Sequence, residues 1–318
     1  MAIECNVIDA GARYGLHPSW ADLASVATFH LFEMESDEAE RLTRKYAGRP
    51  NIHVHPLALY SQDTVLNMSI RQHRGLTSLF DADDALLRRN DYFLQEFEVV
   101  EAREVAARSI DSLFSDQPVH FLKLDVEGAE LEIMKGAQKA LQSTVLGVRS
   151  EVLFSPLYIG APLFGALNEF MLAQGFELLN LDYTGGGNAT GQFTMPGRYG
   201  KLVSSDAVWI ISNDRIFSNT GERLLHDVVR IALFLMNNSA TDLAIDILDR
   251  AVSEYGVDLA CVKDDVFFKA LHKKVLILFK SLLGLPQLTQ DQITSTYQRI
   301  FGQAFPIMNQ FYETGMFD

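Results

Sequence analysis

Phe121-Leu122-Lys123-Leu124-Asp125-Val126-Glu127-Gly128-Ala129-Glu130-Leu131-Glu132-Ile133-Met134-Lys135-Gly136-Ala137 is the stretch whose reading decides the fold. Its hydrophobic period changes partway along. Val119, Phe121, Leu122 and Leu124 form a short apolar run, as in a strand buried on both faces. Beyond Gly128 the apolar Ile133, Met134, Ala137 and Leu141 share one helical face, which leaves Glu130, Glu132, Lys135 and Lys139 on the solvent side. Asp125, Val126 and Glu127 are then a tight strand-to-helix corner that Gly128 allows to turn closely. In an open α/β sheet such a corner lies at the carboxyl edge of the strands, where ligands bind. The two acids admit two readings. Either Asp125 caps the helix and Glu127 complements its positive end, or both face a ligand.

A second corner of the same kind, near the start of the chain, favours the ligand. In Val7-Ile8-Asp9-Ala10-Gly11-Ala12-Arg13-Tyr14-Gly15 a short apolar run closes on Asp9, and Gly11 and Gly15 keep side chains out of the loop that follows. Such a loop lets backbone N–H groups approach a nucleotide or a carboxylate. His17-Pro18-Ser19-Trp20 then starts a helix. Residues 26–33 read as the next strand and end in Glu33, about 20 positions beyond the glycine loop, where an acid accepts hydrogen bonds from ribose hydroxyls. Ser36 is expected to cap the helix that follows, and residues 52–56 form a third strand ahead of Leu57-Ala58-Leu59.

The remaining segments extend this pattern. Residues 65–70 and 97–105 alternate like a hairpin or a sheet extension. Residues 75–91 between them read as loop or short helix, beside a small basic cluster of Arg71, His73 and Arg74. Residues 145–153 are a fifth strand carrying Glu151, and Leu163, Leu167, Phe170 and Met171 make a helical stripe that stops at Gly175. Residues 176–183 and 207–212 close the sheet as a hairpin, joined by a glycine-rich loop, 184–205, long enough to be a substrate lid. From about Asn219 onward the spacing is helical throughout. The expected architecture is therefore α/β: a Rossmann-like, seven-stranded, mostly parallel sheet with an antiparallel terminal hairpin over residues 1–215. An all-α appendage follows over 216–318 and is a candidate homodimer surface.

Composition narrows the class. Of the 318 residues 48% are hydrophobic and 21% charged, the balance of a globular protein, and a net charge of −14 argues against a nucleic-acid partner. Two cysteines, Cys5 and Cys261, lie far apart, which excludes a disulfide scaffold. No signal peptide is legible, and the most apolar late run, 275–285, is too short to span a bilayer. A cytoplasmic location is expected.

Taken in order, these motifs resemble the class I S-adenosylmethionine-dependent methyltransferases, and among them the FkbM family. The similarity covers about residues 3–213. Its most specific piece is Lys123-Leu124-Asp125-Val126-Glu127-Gly128-Ala129-Glu130, joined by the 7–15 loop, by Phe32-Glu33 and by Ser109-Ile110-Asp111-Ser112-Leu113. The chain departs from the family pattern at Arg13, where an Asn is commoner, and at Met34, where a Pro is usual.

The resemblance implies transfer of a methyl group from S-adenosylmethionine to a hydroxyl of a sugar, glycoconjugate or secondary metabolite. It also implies residue roles. Asp9, Gly11, Ala12, Arg13 and Gly15 would face the methionine part, Glu33 the ribose, Ala58 and Leu59 the adenine, and Asp125 would border the cofactor. Asp125, Glu127 or Glu151 would supply the base or position the acceptor, and residues alone do not rank them. A cation shared by Asp125 and Glu151 could lower the hydroxyl pKa instead, but no dedicated ligand set is visible and no metal is expected. Two other classes fit the same sheet: a nicotinamide-dependent dehydrogenase, against which the missing G-x-G-x-x-G counts, and a non-catalytic module that binds a partner through its helical tail.

Overall fold

A computed structural model of the chain describes residues 2–89, 94–187, 201–283 and 288–306. Ten strands lie in chain order: β1 (Asn6–Ala10), β2 (Thr28–Phe32), β3 (Ile52–His55), β4 (Ala58–Leu59), β5 (Thr64–Arg71), β6 (Val99–Arg108), β7 (Phe121–Leu124), β8 (Gly147–Leu153), β9 (Phe176–Gly187) and β10 (Lys201–Ile211). Seven of them form one sheet in the order β3-β2-β1-β7-β8-β10-β9. The pairs from β3 to β8 are parallel, and β10 runs antiparallel to both β8 and β9. The order reverses between β1 and β7, which puts a crevice at the carboxyl ends of those two strands.

Sequence explains why these two strands are central. β1 and β7 are buried along nearly their whole length, and such strands lose nothing by being covered on both faces. Trp20, at the end of the short helical turn Pro18–Trp20, lies against Phe29 of β2 and Phe121 of β7 with ring centroids 6.3 and 6.5 Å away. All three rings are buried, each contributing about 1.5–3 kcal/mol relative to exposure. The turn is thereby pinned over the sheet, and the glycine loop before it is held at the crevice.

Four local expectations are corrected. Ser36 is the first residue of its helix, Ser36–Lys45, and not its cap; Glu35 takes the cap position without a side-chain bond, because its carboxylate is held by Arg13. The hairpin of residues 65–70 and 97–105 does not extend the main sheet. β5 and β6 pair with each other, and β6 pairs in parallel with β4, making a separate three-stranded sheet. The closing hairpin is longer than its apolar pattern, since backbone pairing continues through Gly187 and resumes at Lys201. Of the expected 184–205 loop, residues 188–200 lie outside the described residues.

The fourth correction concerns the central corner. The helix does not start beside Asp125. It starts at Glu130 and stops at Lys135, followed by a second short helix, Gln138–Ser143. The break falls at Gly136, where an added Cβ would lie 2.2 Å from the Tyr60 carbonyl oxygen. With five residues between strand and helix, neither Asp125 nor Glu127 caps anything, and Ala129 occupies the cap position. Glu130, expected on the solvent side, is 3% exposed. Its carboxylate accepts the Val126 N–H at 2.9 Å and the Gly128 N–H at 3.0 Å, so it turns inward to hold the corner.

The chain divides into two compact units, residues 4–212 and residues 213–318 together with 1–3. In the second unit the helix Gly221–Asn237, buried from Leu224 to Met236, packs on Thr241–Ser253 and Val266–Leu282. It carries a buried Asp227–Arg230 pair at 2.8 Å. Among the described residues no helix is long and apolar enough to cross a membrane.

Candidate active site

The carboxyl ends of β1 and β7 are built as one piece. The Asp125 N–H donates to the Ala10 carbonyl at 3.2 Å, and the N–H groups of Gly11 and Ala12 both donate to the Phe32 carbonyl at 3.1 Å. Gly11 sits at φ +75°, and a Cβ there would lie 1.8 Å from the Asp125 carbonyl oxygen. Gly11 is thus required by the neighbouring corner, and its N–H and that of Ala12 are committed inside the sheet.

Beneath these corners lies a line of charges. Lys123 Nζ stands 3.2 Å from Asp125 Oδ2 and 3.6 Å from Asp9 Oδ1. Burial opposes its charge, but the two carboxylates outweigh burial and raise its pKa. Asp9 is shifted upward as well, chiefly by burial, which its share of one ammonium only partly offsets. Lys123 has two anionic partners, whereas Asp9 shares its one cation with Asp125. Asp9 Oδ2 also accepts the His17 N–H at 3.3 Å.

Above the corners opens a cavity of about 490 Å³. Gly11, Arg13, Gly15, Glu33, Ala58, Leu59, Asp125 and Glu127 all line it. Asp9, Ala12 and Glu151 are not among its walls, and Asp9 and Ala12 are buried. One part of the wall is apolar, with Leu57, Leu66, Met68 and Leu79 beside Ala58 and Leu59. Glu33 is 5% exposed. One of its oxygens accepts the Glu35 N–H at 2.8 Å, and burial pushes its pKa up to about 7, against the Glu35 N–H and Arg13.

The acids of the central corner converge. One carboxylate oxygen from each of Asp125, Glu127 and Glu151 lies within 4.8 Å of the others, close enough to share a cation. Such crowding is also relieved by proton uptake. Burial first, and then the neighbouring acids, raise Glu127 to about 8 and lift Glu151 well above the ordinary carboxylate range. Glu151 Oε2 is buried without a hydrogen-bond partner.

Glu127 is clamped at both its backbone and its side chain. Its backbone adopts φ +59°, unusual for a residue with a side chain. The Ser78 hydroxyl donates to its carbonyl at 2.7 Å, and the Tyr158 hydroxyl donates to its Oε2 at 2.7 Å. Tyr158 is fully buried, under the Arg71 guanidinium at 5.6 Å. Arg71 in turn donates to the carbonyls of Phe97 and Phe80 at 2.6 and 2.7 Å. Of the basic cluster, then, Arg71 is structural, while His73 and Arg74 line the cavity. Tyr158 and Ser78 escaped sequence reasoning, since nothing local marks a contact 31 or 49 residues away. Lys123 carried a signal, a lone cation inside a fully buried strand.

With this geometry in hand, residues 9–178, more than half the chain, match the model of the methyltransferase FkbM domain. The chain belongs to the FkbM methyltransferase family. It is therefore an S-adenosylmethionine-dependent methyltransferase, which removes the dehydrogenase alternative. Among solved structures, the methyltransferase FkbM from Methylobacillus flagellatus KT is 16% identical with a TM-score of 0.39, the match covering 66% of this chain and 44% of that one. This chain thus spans less than half the length of that relative. An rRNA methylase from Streptococcus thermophilus is 10% identical (TM-score 0.33, 67% of this chain and 90% of that). The magnesium protoporphyrin IX methyltransferase of Synechocystis PCC 6803, with bound S-adenosylmethionine, is also 10% identical (TM-score 0.32, 66% and 71%). No curated protein is similar enough in sequence to match.

Proposed function

We propose that this methyltransferase acts on a hydroxyl oxygen of a small molecule or glycan, a sugar or secondary metabolite, with Glu127 as the base. The observation that carries this is the clamped Glu127 carboxyl in the cavity wall.

The make-up of the cavity walls supports the cofactor there, with apolar residues beside Ala58 and Leu59 for adenine and an acid, Glu33, for ribose. Bound there, S-adenosylmethionine supplies a sulfonium-activated methyl group. What remains for the protein is to hold the acceptor oxygen in line and take its proton. A hydroxyl is a weak acid, so a carboxylate whose pKa is raised by burial is a better acceptor of that proton than a solvated one. Asp125 also faces the cavity but is tied to Lys123. Burial first, and then the Asp125 carboxylate, keep the proton affinity of Glu127 high. On this reading Glu127 receives the hydroxyl proton as the oxygen–methyl bond forms.

The test is incubation with methyl-labelled S-adenosylmethionine and a panel of hydroxyl, amine, thiol and carboxylate acceptors. Label appearing in an alkali-stable ether would support the proposal. Label transferred only to nitrogen, sulfur or carboxylate would refute it.

A further inference from the structure

Arg13 and Arg74 line the cavity and reach the same carboxylate. Arg13 Nη1 lies 2.6 Å from Glu35 Oε1, and Arg74 Nη1 lies 3.5 Å from Glu35 Oε2. One carboxylate neutralises one guanidinium, so the trio keeps a net positive charge. Arg74 Nη1 is out of contact with solvent and has no hydrogen-bond acceptor, its distance to Glu35 being that of an ion pair rather than a hydrogen bond. The side chain as a whole is 38% exposed, so an incoming anion can reach the guanidinium and give the shielded Nη1 an acceptor. Glu101 also feels Arg74 and is held by Arg103 at 2.7 Å; Glu33 and Glu38 feel Arg13, and Glu38 is held by Arg41 at 2.6 Å.

Arg74 is also well placed in the chain. It opens the single turn Arg74–Leu76, closed by the Thr77 N–H on the Arg74 carbonyl. A Cβ on the next residue, Gly75, would stand 3.0 Å from the Tyr14 hydroxyl. The turn therefore lies close to Tyr14 of the glycine loop, and Arg74 and Arg13 reach Glu35 from separate elements.

The cofactor's methionine end carries an ammonium and a carboxylate, and the charged walls of the cavity sort them. Lys123 is shared by Asp9 and Asp125, two negative charges for one positive, which repels a carboxylate and attracts an ammonium. The Arg13–Glu35–Arg74 trio has the opposite balance. We propose that Arg74, with Arg13 beside it, binds the α-carboxylate of the cofactor's methionine, leaving the Asp125 side to the ammonium. This rests on the assignment of the cavity to S-adenosylmethionine. It adds to the glycine loop a cofactor contact from the β5–β6 segment.

The test uses two ligands that differ in that group: S-adenosylhomocysteine, which carries the amino acid, and 5′-methylthioadenosine, which lacks it. Calorimetry on the wild type, Arg74→Gln and Arg74→Lys separates the outcomes. Arg74→Gln is expected to weaken S-adenosylhomocysteine about ten- to a hundredfold and to leave 5′-methylthioadenosine unchanged, with Arg74→Lys between. Equal losses for both ligands would mean general damage to the cavity and would overturn the proposal. No loss for either would overturn it too and would leave Arg74 to an anionic acceptor. A wild type that binds neither ligand would sink the cofactor assignment itself, a result distinguishable from the other two.

Discussion

Glu33→Gln should make the free protein more stable and a worse binder, and both effects should depend on pH. The Glu33 carboxyl is raised from 4.5 to about 7 by burial. That difference is worth about 3 kcal/mol, at about 1.4 kcal/mol per pH unit. The folded-state pKa lies above the unfolded one, so the associated stability is fully present below about pH 4.5 and is lost as pH rises through about 7. Glutamine keeps the oxygen that accepts the Glu35 N–H and never ionises. The variant should therefore exceed the wild type in stability by less than about 1 kcal/mol at pH 5 and by up to about 3 kcal/mol at pH 8.

Binding runs the other way. With the ribose on Glu33 as proposed, its hydroxyls would donate to the carboxylate form, so S-adenosylhomocysteine should bind the wild type about tenfold more weakly at pH 6 than at pH 8. Glu33→Gln should be about ten- to a hundredfold weaker than wild type at pH 8 and nearly independent of pH. Melting curves and calorimetry from pH 5 to 8.5 measure both effects. A wild type with pH-independent affinity, or a variant less stable at every pH, would refute the reasoning, because general damage cannot raise stability while lowering affinity.

Three other outcomes are expected. Glu127→Gln should lower kcat by about 10²–10⁴-fold with S-adenosylhomocysteine affinity unchanged, and the wild-type rate should rise with pH through about 8, because only the deprotonated acid accepts a proton; normal turnover in the variant would remove Glu127 as base. Tyr158→Phe removes a donor that favours the ionised form of Glu127, so the midpoint of the rate–pH curve should move upward, and an unmoved midpoint would count against the clamp. Gly11→Ala combines a left-handed backbone with a Cβ 1.8 Å from the Asp125 carbonyl oxygen, so the melting temperature and cofactor affinity should fall together, by more than the roughly 1–2 kcal/mol of the backbone conformation alone; a variant that melts normally would contradict the crossing of the two corners.

The strands of the main sheet were legible because burial on both faces leaves uninterrupted apolar runs, as in β7 and β8. The acids at their ends were legible because polar residues that close such runs stand out. Glu130 was misread for an equally physical reason. A helical period running from Gly128 puts it on the solvent side, whereas the helix begins only at Glu130, whose side chain faces back into the turn. The alternation of β5 and β6 marked them as strands, but alternation carries no information about which sheet a strand joins. Tyr158 and Ser78 were invisible because their role exists only once distant segments pack.

The two corners that sequence marks separately, one for cofactor and one for acids, are mechanically a single object. Gly11 lies under the Asp125 carbonyl, the Asp125 N–H is held by Ala10, and Lys123 ties the Asp9 and Asp125 carboxylates together from below. Breaking a buried ion pair by removing one partner costs about 3–5 kcal/mol, because the other charge is left stranded; here the loss of Lys123 would strand Asp9, whose side chain is fully buried. A shift of the β1 loop must therefore move Asp125, and with it the corner that carries Glu127. Cofactor position and base position cannot vary independently in such a site, which suits a reaction whose rate depends on the alignment of methyl donor, acceptor oxygen and proton acceptor.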